Sequence, residues 1–96
     1  MAITDLSTFK THIRELSNDL DDAFQLALAS ATSEVVNFLG FDPYEEYQND
    51  IPGDIVMGCM LLAQVHADAT NDPERYTQTA YRLLRPYRDS IGIRAA

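Results

Sequence analysis

The chain of 96 residues reads as an all-α domain, a small bundle of about four helices. Three observations predict it. Apolar residues recur at three- and four-residue steps in four segments. Caps, prolines and glycine punctuate those segments at the places where helices start and stop. Apolar residues make up 46% of the chain, enough for one core, while the length leaves no room for a second.

The first helix is short, from about Ser7 to Leu16, with Leu6, Phe9, Ile13 and Leu16 at helical spacing, and Ser17-Asn18-Asp19 breaks it. The second is the long central helix. Leu20, Phe24, Ala27, Leu28, Ala31, Val35, Phe38 and Leu39 form its inward stripe, and Asp19 is placed to cap it. Asp21 and Asp22 oppose the positive end of its dipole, and Gly40 follows Leu39 where a left-handed residue ends a helix. At 1.5 Å per residue it spans roughly 30 Å.

A loop from Phe41 to Ile51 carries the turn-forming pairs Asp42-Pro43 and Asn49-Asp50. Its Phe41, Tyr44 and Tyr47 stand among acids, as in a surface loop tacked to the core or a docking tongue for a partner. The third helix opens at Pro52 and runs to about Thr70. Ile55, Val56, Met57, Cys59, Met60, Leu61, Leu62, Ala63 and Val65 nearly encircle it, so it needs cover on several sides. Ile55, Met57, Met60 and Leu61 are therefore its core or interface positions. Asp72-Pro73-Glu74 starts the fourth helix, and Tyr76, Ala80, Leu83 and Leu84 form its inward stripe. Pro86 is expected to end or kink it, leaving residues 89–96 as a loose tail.

The formal net charge is −8, and it is unevenly placed. Residues 1–50 hold ten acids and two bases, and residues 51–96 hold five of each. Surplus acid repels the phosphate backbone and disfavours nucleic-acid binding by counterion release. Cys59 is the single cysteine, which excludes an intrachain disulfide and a multi-cysteine metal site. The opening Met-Ala-Ile-Thr-Asp does not read as a secretory signal, and the longest nearly apolar run, Ile55 to Ala63, is about half a bilayer span. The expectation is a cytoplasmic, soluble protein with no membrane contact.

The chain carries no phosphate-cradling glycine loop, nucleophile elbow or His-Glu-x-x-His motif. His12 with Glu15 shares a helical face and His66 with Asp68 does not, and neither pair has an evident third ligand, so no metal or cofactor is expected. The acid pairs Asp21-Asp22 and Glu45-Glu46 are adjacent and diverge on a helix, which suits solvated charge better than acid–base catalysis. Cys59, Met57 and Met60 fall in the most apolar helix and read as packing residues. Enzyme activity is not expected.

Five of the seven bases, Arg75, Arg82, Arg85, Arg88 and Arg94, lie in the last quarter of the chain, with Arg75, Arg82 and Arg85 near one helical face. They read either as a solvated face or as a surface for the acidic first half of a neighbouring subunit. The latter makes a head-to-tail contact that can close into a ring.

The order of parts resembles a known family. A short helix, a long acid-capped helix ending in Phe38-Leu39-Gly40, a proline-started helix reading Ile51-Pro52-Gly53-Asp54-Ile55 then Leu61-Leu62-Ala63, and a closing Leu83-Leu84-Arg85-Pro86-Tyr87-Arg88 together resemble the head-tail connector proteins of tailed bacteriophages, also called adaptor, head-completion or DNA-packaging proteins. The likeness covers nearly the whole chain. Where that family often carries aromatics and an arginine, at the end of the third helix, this chain has His66-Ala67-Asp68-Ala69-Thr70-Asn71.

The resemblance implies a non-enzymatic virion protein at the head-tail junction, made in the host bacterial cytoplasm. It implies a homo-oligomeric ring of about a dozen copies beneath the portal protein. Double-stranded DNA would pass through its lumen without specific binding, and a further connector or tail-terminator protein would follow. Within that expectation Leu83, Leu84, Pro86 and Tyr87 position the last helix, and Arg75, Arg82, Arg85, Arg88 and Tyr87 meet a subunit or the portal. The rival expectation is a small acidic helical regulatory or inhibitor module for a basic partner. A third and weaker one is a DNA-binding helical domain that uses the arginine face.

Overall fold

The computed structural model describes residues 3–15 and 17–95, with side chains placed through Arg88. Five helices follow in chain order: α1 Leu6–Ile13, α2 Asp21–Leu39, α3 Pro43–Tyr47, α4 Gly53–His66 and α5 Pro73–Ala95. The described residues contain no strand. No helix among them is long and apolar enough to cross a membrane.

Local chemistry accounts for most boundaries. Asp5 caps α1 by accepting the Thr8 N–H at 2.7 Å, and Arg14 ends the helix in the left-handed region at φ 59°. The helix therefore stops short of the expected Leu16, which lies outside the described residues. α2 starts without the expected Asp19 cap: Leu20 holds the cap position and no side chain accepts there. The Asp19 N–H instead donates to Ser17 Oγ, and Lys10 Nζ reaches Asn18 Oδ1 at 2.9 Å and Asp21 Oδ1 at 2.8 Å, tying the start of α2 to α1. Gly40 ends α2 at φ 82°, as its position in the sequence predicts.

The expected loop of residues 41–51 contains a helix. Asp42 caps it by accepting the Tyr44 N–H at 2.9 Å, and Pro43 fills the first turn, where a missing N–H costs nothing. α4 ends at His66, four residues before the expected Thr70. Asp68 takes a left-handed conformation at φ 56°, and the buried Gln64 holds the reversal, its backbone C=O accepting the Ala69 N–H at 2.8 Å and its side-chain Nε2 donating to the Ala69 C=O at 3.2 Å. Asp72 caps α5 by accepting the Arg75 N–H, as expected. That helix then runs through Pro86 to Ala95 instead of ending at the proline. Proline removes one N–H and crowds the preceding turn, but a helix packed over its earlier turns tolerates the loss.

The core lies where α2, α4 and α5 meet, with α1 closing one end. Phe9 of α1 is fully buried and meets Phe24 edge to face at 5.5 Å. Leu28, Val35, Ile55, Cys59, Leu62, Ala80 and Leu84 fill the rest. Gly58 lets α4 and α5 approach closely: a Cβ there would stand 3.0 Å from Leu84 Cγ and 3.4 Å from the Ala80 carbonyl oxygen. α2 and α5 cover most of the apolar α4. Ile55 and Met60 are buried, Leu61 is half-buried, and Met57 stays exposed. Leu20, expected in the inward stripe of α2, is 50% exposed, because it precedes the first full turn.

Candidate assembly surfaces

Two surfaces of opposite charge lie toward opposite ends of α2. The first is a groove between the C-terminal half of α2 and the middle of α5, lined by Phe38, Thr77, Gln78, Tyr81, Arg82 and Arg85, with a volume of about 580 Å³. Its apolar floor is the tilted pair Phe38 and Tyr81, ring centroids 4.7 Å apart. The Tyr81 hydroxyl donates to Glu34 Oε2, and Glu34 Oε1 accepts from His66 Nε2 at 2.8 Å, so one carboxylate of α2 ties down both α4 and α5. Burial, reinforced by the neighbouring Glu34 carboxylate, pushes the Tyr81 phenol up to about 12. The ring is thereby held neutral and in place.

Arg82 and Arg85 are exposed at the rim, and neither forms an ion pair among the described residues. Arg88 lies over the Phe38 ring, its guanidinium carbon 5.0 Å from the centroid. Pro86 has no N–H to give the Arg82 carbonyl, so that acceptor also lacks its ordinary helical partner. Arg75 stands two turns toward the helix start, exposed and outside the groove, and the side chain of Arg94 lies outside the described residues. The arginines singled out by sequence thus divide: Arg82, Arg85 and Arg88 converge on the groove, and Arg75 does not.

Tyr87 points elsewhere. It packs against the core, with its hydroxyl 3.5 Å from Asp54 Oδ2 near the start of α4. Partial burial and the Asp54 carboxylate hold its phenol above the ordinary tyrosine value. Leu84 is fully buried, Leu83 half-buried and Pro86 exposed, so Leu84 carries most of the anchoring of α5 among these positions.

The second surface is the start of α2. Asp19, Leu20, Asp22, Ala23 and Leu26 are all exposed, with Leu26 at 70% the most exposed large apolar side chain among the described residues. Asp22, Ala23 and Leu26 recur at three- and four-residue steps and so share one face, and Asp19 stands in the turn just before the helix. Asp21 is taken by Lys10. Leu26 falls off the inward stripe of α2, and that displacement is the one signal by which the sequence marks it.

The remaining residues weighed by sequence fall into structural roles. Phe41 and Tyr47 meet edge to face at 6.1 Å and pack on the core, Tyr44 is half-buried, and the acids Glu45, Glu46 and Asp50 face solvent. His12 Nε2 donates to Gln64 Oε1 at 2.8 Å, while Glu15 accepts the Ser17 N–H. The described residues hold no group of three or more His, Cys, Asp or Glu arranged for a metal ion. Cys59 is buried, its thiol pushed up to about 11 by burial against the smaller opposing effect of the Thr32 hydroxyl. Gln64, Gly58 and Glu34 were not singled out by sequence, because each acts through a partner remote in the chain. Compared with protein-family models, with curated proteins and with solved structures, this chain matches none.

Proposed function

We propose that this chain is a structural subunit that works by repeated self-contact, as a head-tail connector (adaptor) of a tailed bacteriophage particle. In this reading it forms a ring beneath the portal, receives a further connector or tail-terminator protein on its far side, and encloses a channel for double-stranded DNA. The observation that carries the reading is the charge segregation along α2. A groove with Arg82 and Arg85, neither ion-paired among the described residues, lies at one end, and acids with exposed leucines lie at the other. Two different complementary patches on one subunit give a heterologous contact, which closes into a ring when the rotation permits. The phage context rests on the resemblance of the helix order and of the Leu83-Leu84-Arg85-Pro86-Tyr87-Arg88 ending. The net charge of −8 supports a lumen that does not grip DNA.

Light scattering across concentration, with electron microscopy of the largest species, tests this. The expected result is a mass that rises to a plateau at one closed ring and falls back as salt is raised. A strict monomer at every concentration that forms a one-to-one complex with a basic protein would replace the ring by the inhibitor reading.

A further inference from the structure

We propose that the groove between α2 and α5 is the receptor for the first two turns of α2 from a second copy of this chain, with Leu26 entering between Arg82 and Arg85. This deepens the connector reading and rests on it for the identity of the partner.

The shape and chemistry of the groove specify its occupant. An aromatic floor of Phe38 and Tyr81 takes an apolar side chain, and the two guanidinium groups at the rim, without an ion pair among the described residues, take carboxylates beside it. One described segment of this chain offers that combination. Asp22 and Leu26 are one turn apart on an exposed helix face, with Ala23 on the same face and the exposed Asp19 and Leu20 in the turn that leads into it. Elsewhere the match is poorer: around Glu45 and Asp50 the large apolar rings, Phe41 and Tyr47, are already packed onto the core, and on α4 the exposed Met57 has one acid a turn away, Asp54, whose carboxylate lies 3.5 Å from the Tyr87 hydroxyl.

The contact must be between copies. Asp22 and Phe38 sit sixteen residues apart on the same straight element, roughly 24 Å along its axis, so no subunit reaches its own groove. Each subunit therefore carries one receptor and one insert, and occupying its receptor leaves its insert free for a third copy. Association built this way propagates until it closes. Leu26 supplies the apolar contact that excludes water, and Asp19 and Asp22 set the register against Arg82 and Arg85.

Two variants test the pairing. Arg82→Glu with Arg85→Glu disables the receptor and leaves the insert intact. Asp22→Ser with Leu26→Ser disables the insert and leaves the receptor intact. Thermal unfolding of each checks that it is folded. Sedimentation velocity should show wild-type protein as large species and each variant alone as monomer, its self-association weakened at least about a hundredfold, roughly the loss expected when a central apolar anchor or its charged rim is removed. The two variants mixed should give a dimer and nothing larger, because that pair has one working junction and no second.

Three results overturn the inference: variants that assemble as wild type does, a mixture that stays monomeric, or a mixture that grows past the dimer. The connector reading fails separately. Wild-type protein that grows as an open chain without a closed ring, yet gives the capped dimer on mixing, would keep the junction and sink the ring. Wild-type protein that stays monomeric to millimolar concentration would sink both.

Discussion

Gly58→Ala gives the sharpest test of how the bundle is packed. In an isolated helix the change is favourable by about 1 kcal/mol, because alanine loses less backbone freedom on folding than glycine. Here the new methyl would stand 3.0 Å from Leu84 Cγ, 3.1 Å from Leu84 Cδ2 and 3.4 Å from the Ala80 carbonyl oxygen. Leu84 is fully buried and the carbonyl belongs to the α5 backbone, so neither neighbour has free space to move into. Overpacking of this kind costs about 1–3 kcal/mol, which outweighs the propensity gain and leaves a net loss of about 1 kcal/mol. For a domain of this length that lowers Tm by about 4–8 °C, read by calorimetry at one low protein concentration so that assembly does not contribute.

The same geometry predicts a sign reversal. Leu84→Ala alone should cost about 2–5 kcal/mol as a large-to-small change in the core. In that background the methyl at position 58 meets no leucine, so Gly58→Ala should recover about 1 kcal/mol. If Gly58→Ala raised Tm in the wild-type background, or lowered it equally in both, the close approach of α4 and α5 at this point would be wrong.

Tyr81 predicts an alkaline limb of stability. Its phenol titrates near 12 in the folded protein against 10.0 ordinarily, so between those values the unfolded chain gives up its proton first. The contribution of Tyr81 is then complete below pH 10 and is lost as pH rises toward 12, and Tyr81→Phe should flatten that part of a urea-midpoint-against-pH curve. A residual slope of the same sign belongs to Tyr87, whose phenol is also raised, and to Cys59, whose contribution is lost between pH 9 and about 11. Cys59, with a thiol raised from 9.0 to about 11, should react with a disulfide reagent near neutral pH about a hundredfold more slowly than in the unfolded chain from thiolate fraction alone, and more slowly still from burial. Equal rates in native buffer and in denaturant would place it at the surface. Gln64→Ala removes the bonds to His12 and Ala69 and should cost about 2 kcal/mol in urea unfolding. His12→Ala in the Gln64→Ala background should then cost little more, whereas full additivity would deny that the two side chains are coupled.

Much of this bundle is decided by interactions only a few residues long, and those are legible in the sequence. Gly40 ends α2, Asp72 caps α5, and the stripe of Phe24, Leu28, Ala31, Val35 and Leu39 turns inward because capping and the i to i+4 periodicity are settled within a turn or two of the chain. The arginine surplus near the end and the acid surplus near the start are likewise properties of composition. What the sequence left open, only the tertiary contacts decided. Gln64 stops α4 early while reaching His12, 52 positions away, and Glu34 joins His66 and Tyr81 across separations of 32 and 47. Gly58 reads as an ordinary weak helix residue until Leu84 is brought against it, and Leu26, displaced from the inward stripe in the sequence, gains a role only once packing leaves its face uncovered. A groove belongs to no segment: its floor comes from α2 and α5 and its rim from α5, so it exists once the helices choose their faces. That choice is made by burying apolar area jointly, a quantity that depends on every helix at once.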